Sequence, residues 1–350
     1  MNFRKEEIKQ IDLDNMAVQI DSLYLQIQDS ISIMSVFSSE NDQYKDIINS
    51  YNKILIIGMG GSAIGGDFAR KIIEKESPIP VFVLRDYDIP NWVDKKTFII
   101  ASSYSGNTEE TLSAYSKCLD RGCNSIVIST GGELTRIANN NDIGVISLPP
   151  GYQPRAAIGY SLSILLLLFV ELGLCKKHVI ENLQTTANNC LGKSSIDDAK
   201  LLAQNLYNKF PVIYSGEGCN EILSIRLKGQ LAENAKILSY QSVFPEHNHN
   251  EIEGWNNLED FISNFSVIWI IDDSDSEHIR KRMKIVKGMI DKYTSHQCEL
   301  YLKGESIIER VFSMIHTIDW VSFYLAIIYK TDPSPVNNIK NLKSLMNNEK

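Results

Sequence analysis

ILIIGMGGSAIGGD, residues 54–67, places four large aliphatic residues in a row and then breaks on Gly58 and Gly60. A short unbroken apolar run closed by glycines reads as a strand buried on both faces, and the residues after it have helical spacing. The pattern repeats downstream in PVFVL (80–84), TFIIAS (97–102), SIVIST (125–130) and GVISL (144–148), each followed by a helix-like stretch. Five such runs alternating with helices predict an α/β fold built on a doubly wound parallel sheet.

Upstream, Ile8, Ile11, Leu13, Met16, Val18, Ile20, Leu23, Leu25 and Ile27 recur at helical spacing among charges, which predicts a helical prefix over residues 1–50. The first sheet domain then covers 51–154 and a helical connector 155–205. A second series opens with PVIYSG (211–216) and continues through AKILSY (235–240), FSVIWIID (265–272) and CELYLK (298–303). Gly216-Glu217-Gly218 lines up with Gly58-Met59-Gly60, and Ile222 with Ile64. Duplication of one domain follows, the second copy spanning 206–350 and each copy carrying a five-stranded parallel sheet flanked by helices.

The bulk properties narrow the function. At 350 residues two domains are expected, and 43 % hydrophobic residues suffice for packed cores. A net charge of −8 without a basic patch argues against nucleic acid. Cys118, Cys123, Cys175, Cys190, Cys219 and Cys298 form no CxxC pair, and read as reduced thiols of a cytoplasmic protein. The opening MNFRKEEIKQIDLDNM lacks the apolar core of a secretion signal. Leu162–Leu174 is too short to span a bilayer and contains Glu171, so a buried helix is expected there and no membrane partner.

Ligands of open parallel sheets bind beyond the carboxyl ends of the strands, which directs attention to the loops after strands one and three of each copy. The first copy offers SSYSGNTEETL (102–112): Ser102, Ser103, Ser105 and Thr108 supply hydroxyls, Gly106 permits close backbone approach, and a helix follows. Hydroxyls, backbone N–H groups and the helix dipole together suit a phosphate dianion. Asn107 and Glu110 have capping-box spacing, and Glu109 and Glu110 must point away from the anion. In the second copy the equivalent loop, DDSDSEH (272–278), carries carboxylates that repel phosphate. One phosphate site per chain is expected, in the first copy. The plain alternative is that Ser and Thr cap the helix and do nothing else. Gly58-x-Gly60-x-x-Ala63, with Asp86 after the second strand, also satisfies a dinucleotide fingerprint, but the serine loop competes for that crevice.

IGMGGSAIGGD, SSYSGNTEETL, LPPGYQPRAAIGYS, LKGQLAENAK and PEHNHNEIEGW, in this order, resemble the bifunctional phosphoglucose/phosphomannose isomerases, members of the sugar isomerase (SIS) domain group. The likeness runs from about Lys53 to the C-terminus. It implies two tandem SIS-type domains and interconversion of aldose and ketose 6-phosphates through a cis-enediol(ate), with no metal and no cofactor. It places the base at Glu233, enediolate stabilisation at Arg155 and ring opening at His249. Phosphate contacts fall on Gly61, Ser62, Ser103, Ser105 and Thr108. A C-terminal lysine aligns with Lys343, with Lys340 as its rival. The resemblance further implies a homodimer in which His249 completes the partner's site. Glu133 and Ser334 stand where the family pattern has Lys and Thr, which bears on substrate choice.

Each of these residues has a plainer reading. Glu233, near a helix end whose dipole raises a carboxylate pKa, suits a proton shuttle, but a helical Glu more often pairs with a lysine such as Lys228 or Lys236. His247-x-His249 between Glu246 and Glu251 also fits a metal cluster, because an extended His-x-His puts both rings on one side. Arg155, a cation at a helix start, is electrostatically misplaced unless it serves a developing oxyanion or an interdomain carboxylate. A sugar-phosphate sensor would need the serine loop without Glu233, Arg155 and His249.

Overall fold

The structure is a computed structural model, and it describes residues 3–45, 47–189, 193–257 and 259–348. Helices α1 (Lys5–Ile11), α2 (Met16–Asp21) and α3 (Leu23–Glu40) lead into a first α/β series. That series comprises β1 (Lys53–Ile57), α4 (Gly60–Ile73), β2 (Val81–Leu84), β3 (Thr97–Ser102), α5 (Glu109–Asp120), β4 (Ser125–Ser129), α6 (Gly132–Asn140) and β5 (Val145–Ser147). Next come α7 (Ile158–Glu171), α8 (His178–Asn188) and α9 (Lys193–Leu206). The second series holds β6 (Phe210–Ser215), α10 (Cys219–Gln230), β7 (Tyr240–Val243), α11 (Glu259–Ile262), β8 (Phe265–Ile271), α12 (Glu277–Ile290) and β9 (Gln297–Tyr301), before α13 (Ile307–Ile328) and α14 (Asn337–Asn348). Two compact units result, Asp21–Gly192 with Lys303–Ser313, and Met1–Ile20 with Lys193–Leu302 and Met314–Lys350.

The first unit is built on a five-stranded parallel sheet in the order β2-β1-β3-β4-β5. β3 and the Ile54–Ile57 stretch of β1 are buried, as central parallel strands covered on both faces must be, and they pair with Ile56 opposite Ile100 and Ile57 opposite Ala101. The chain leaves β1 towards β2 on one side and β3 towards β4 on the other. Their carboxyl ends therefore form the switch-point crevice. Every residue from Ile158 to Phe169 is buried, so α7 is apolar all round, and α3, α4 and α8 pack against it. Each of its fully buried leucines contributes about 1.5–3 kcal/mol.

The second unit repeats the order as β7-β6-β8-β9, all parallel, with four strands rather than the expected five. Beyond β9 the apolar residues keep helical spacing for 22 residues and fold as α13, which leaves no segment to add a fifth strand. The second strand also begins later than the run AKILSY suggests. Lys236 adopts a left-handed φ of 59°, Leu238 is left 81 % exposed, and β7 starts at Tyr240. Among the described residues α13 is the one helix long and apolar enough to cross a bilayer, and 89 % of its most apolar stretch is buried within the protein. Cys118, Cys123, Cys175, Cys219 and Cys298 are free thiols, and Cys190 lies outside the described residues.

Candidate active site

In the first unit the β1–α4 loop, the serine loop after β3 and a short 3-10 turn, Pro154–Ala156, lie against one another. A Cβ on Gly61 would stand 2.9 Å from Pro154 O, so only glycine lets the first turn of α4 approach the turn that carries Arg155. Ser161 Oγ donates to Gly61 O at 3.4 Å, fixing the same loop from α7. Ser62, Ser102, Ser103 and Arg155 are buried, Thr108 is half-buried, and Ser105 is exposed.

The serine loop turns on Gly106 at φ +68°, where a Cβ would be driven to 1.8 Å from Gly131 O. Ser103 Oγ and Thr108 Oγ1 are 2.9 Å apart. Thr108 is the N-cap of α5, yet its side chain makes no capping bond. The proposed capping box of Asn107 and Glu110 does not form, because the helix starts one residue later than that spacing assumes. Asn107 Oδ1 instead accepts from Glu133 N at 3.0 Å, and its Nδ2 donates to Ser105 O at 3.2 Å. Asn107 thereby holds the serine loop to the first turn of α6. Glu109 is exposed and Glu110 half-buried. Asp86 accepts from Tyr87 N at 2.6 Å and Asp88 N at 3.3 Å in its own exposed turn, so it serves that turn rather than a ribose.

In the second unit α10 widens at its end into a π-helical turn, Leu231–Ala235, which carries Glu233. Glu233 is half-buried and lines a cleft of about 680 Å³ with Ala232, Lys236, Asp332, Val336 and Ile339. The Lys236 ammonium donates to the main-chain Glu233 O and, at 3.2 Å, to Pro333 O. Lys340 and Lys343 are both exposed on α14. Ser334 is 1 % exposed, beside Asp332, whose carboxylate accepts from Ser334 N at 2.9 Å.

Glu246–His249 form a 3-10 turn rather than an extended segment, which separates the two imidazoles. His247 is fully buried, stacked on Phe244 with centroids 4.5 Å apart, and burial lowers its pKa. His249 is exposed. A metal cluster using both rings does not fit this turn. At the second switch point Asp275 fills the crevice: its carboxylate accepts from Asn220 Nδ2 at 3.1 and 2.9 Å and would stand 3.1 Å from a Cβ on Gly216. Burial pushes the Asp275 carboxyl up to about 6.

Residues 47–170 match the SIS domain model, and 195–346 match the bacterial phospho-glucose isomerase C-terminal SIS domain model. The chain is 41 % identical over 339 residues to a bifunctional phosphoglucose/phosphomannose isomerase of Caldicellulosiruptor bescii, covering 94 % of this chain and 96 % of that one. The chain belongs to the bifunctional phosphoglucose/phosphomannose isomerase family. It is accordingly an isomerase of the intramolecular oxidoreductase type, with two SIS domains. It is also 31 % identical over 229 residues to a D-glucosamine-6-phosphate 4-epimerase of Sulfolobus acidocaldarius, covering 63 % of this chain and 71 % of that one. The fold is shared with tagatose-6-phosphate ketose/aldose isomerase from Escherichia coli at a TM-score of 0.73, 13 % identity, and coverage of 91 % and 94 % of the two chains.

Two residues that are not among the candidate contacts shape the isomerase's loops, Gln26 outside every motif and Tyr104 within the serine loop. Gln26 of α3, fully buried, donates through Nε2 to Ala156 O at 2.8 Å and braces the Arg155 turn. Tyr104 OH donates to Pro149 O at 2.8 Å and accepts from Tyr152 N at 3.1 Å, tying the serine loop to the chain before Arg155. A polar residue inside an apolar helical stripe was the available signal for Gln26. Of the two family departures, Glu133 pairs with Arg136 on α6, which holds its carboxyl below the usual range, and Ser334 is buried.

Proposed function

We propose that this isomerase interconverts glucose 6-phosphate, and mannose 6-phosphate as well, with fructose 6-phosphate through a cis-enediol(ate), without a metal and as a cytoplasmic homodimer. The phosphate dianion is held by Gly61, Ser62, Ser103, Ser105 and Thr108. What most supports this is the serine loop, where the helix-capping hydroxyl of Thr108 is turned onto Ser103 and not onto the first turn of α5. Side chains that only cap a helix bond its N–H groups. Here Thr108 Oγ1 stays with Ser103, and the dipole at the start of α5 favours an anion beside these hydroxyls.

In the open-chain aldose, Glu233 removes the C2 proton, Arg155 stabilises the negative charge that develops on O1, the O2 hydroxyl proton passes to O1 in the enediol, and Glu233 returns its proton to C1. His249, contributed by the partner subunit, opens the ring, with Lys343 assisting and Lys340 as the alternative. The half-buried Glu233 on a cleft supports the role of base, and the exposure of His249 supports use by another chain.

A second reading, isomerisation of an amino-sugar phosphate, is favoured by the glucosamine-6-phosphate-directed relative. Coupled assays on glucose, mannose, fructose and glucosamine 6-phosphates with a chelator present separate the two. Turnover of the neutral sugars in chelator is expected. Turnover of glucosamine 6-phosphate alone selects the second reading, and loss of activity on chelation overturns the metal-free step.

A further inference from the structure

The turn that presents Glu233 is held by a connected set of buried polar groups. Arg226, Gln230 and Asn234 recur every four residues along α10 and into the π-helical turn, facing Asp319 and Ser322 on α13. Arg226 grips Asp319 with Nε at 3.0 Å from Oδ1 and Nη2 at 2.6 Å from Oδ2. Gln230 Nε2 donates to the same Oδ1 at 2.7 Å. One turn on, Asn234 Nδ2 donates to Ser322 Oγ at 2.9 Å, and Ser322 Oγ donates to Asp319 O at 2.8 Å. All five residues are at most 3 % exposed.

An apolar core of the same shape would be as stable as a buried ion pair or more so, so packing alone does not account for the network. The local backbone is costly as well. A π-helical turn followed by a left-handed lysine persists only where surrounding contacts determine it, and such turns cluster at functional sites. Asn234 sits beside Glu233 and is itself fully buried. Its bond to Ser322 therefore sets the rotation of the turn, and with it the direction of the neighbouring carboxylate.

We propose that Asn234 and Ser322, anchored through Asp319 and Arg226, are positioning residues that aim Glu233 into its cleft. This rests on Glu233 being the base. A displacement of about 1 Å at a reacting group costs on the order of 100-fold in rate, so the loss of one link is measurable.

The test uses the full chain with Ser322→Ala and, independently, Asn234→Ala. Steady-state rates and the primary isotope effect on glucose 6-phosphate deuterated at C2 are read beside thermal melting. The expected result is a kcat lowered about 10-fold or more, KM within about twofold, and a larger isotope effect, as proton transfer becomes slower than the other steps. Ser322→Thr, which restores the hydroxyl, recovers most of kcat. Both alanine variants turning over within about twofold of the parent, or both losing their melting transition along with activity, overturns the proposal. Glu233→Gln run in parallel separates the two claims: if it stays active the base assignment falls, whereas if it is inactive and Ser322→Ala is normal only the positioning role falls.

Discussion

Ser103 Oγ and Thr108 Oγ1 meet at 2.9 Å across the serine loop, with Gly106 at the turn between them. Because Thr108 does not cap α5, removing its hydroxyl has little to take from the helix. Thr108→Val is expected to raise KM for the sugar phosphate about 10- to 100-fold, the worth of one hydrogen bond to a charged group, while Tm falls by no more than a few degrees. Kinetics and calorimetry on the same preparation check this. A large drop in Tm with unchanged KM would make Thr108 a structural cap.

Gly106→Ala is expected to cost stability as well as binding. Its Cβ would overlap Gly131 O at 1.8 Å, and φ is +68°, so the loop must leave its seat on the β4–α6 connection. A loss of about 2–4 kcal/mol in denaturant unfolding follows, with phosphate affinity lost alongside.

The parallel order of both sheets was legible because a buried parallel strand is an unbroken aliphatic run, and ILII (54–57) needs no alternation to be recognised. The hydroxyl loop was legible for a similar reason, since chemistry and turn signal fall in one short segment. What was not legible depends on contacts distant in sequence. Nothing near Gln26 announces a bond to Ala156, 130 residues away, and Asp319 reads as an acid misplaced in the apolar middle of a helix until Arg226 is seen against it. The missing fifth strand had a readable cause in the 22-residue apolar periodicity of α13, but analogy between the copies outweighed it.

Asp275 makes a prediction in pH. Its carboxyl is raised from 3.8 to about 6, chiefly by burial, so the folded state binds this proton more tightly than the unfolded one. The group's contribution is therefore fully present below about pH 4 and is lost as pH rises through 6, by roughly 1–3 kcal/mol. Asp275→Asn keeps an acceptor for Asn220 and removes the titration. The variant is expected to melt higher than the parent at pH 7–8 and to show no such decline between pH 4 and 6. Superimposable stability curves for the two proteins would show that Asp275 ionises without penalty.

Glu233→Gln and His249→Ala decide whether the site is shared between subunits. Each variant alone is expected to lose about 100-fold or more in kcat, since each lacks one acid–base group. Mixed by co-expression, they behave differently according to where His249 acts. If each site takes Glu233 from one chain and His249 from the other, a mixed dimer holds one doubly defective site and one with both groups intact. Half the dimers are mixed and half of their sites are whole, so activity returns to about a quarter of the parent's. If Glu233 and His249 serve the same chain's site, every site carries a defect and mixing restores nothing. Measuring the recovered kcat against the mixed fraction, separated by tags of different charge, gives the answer directly.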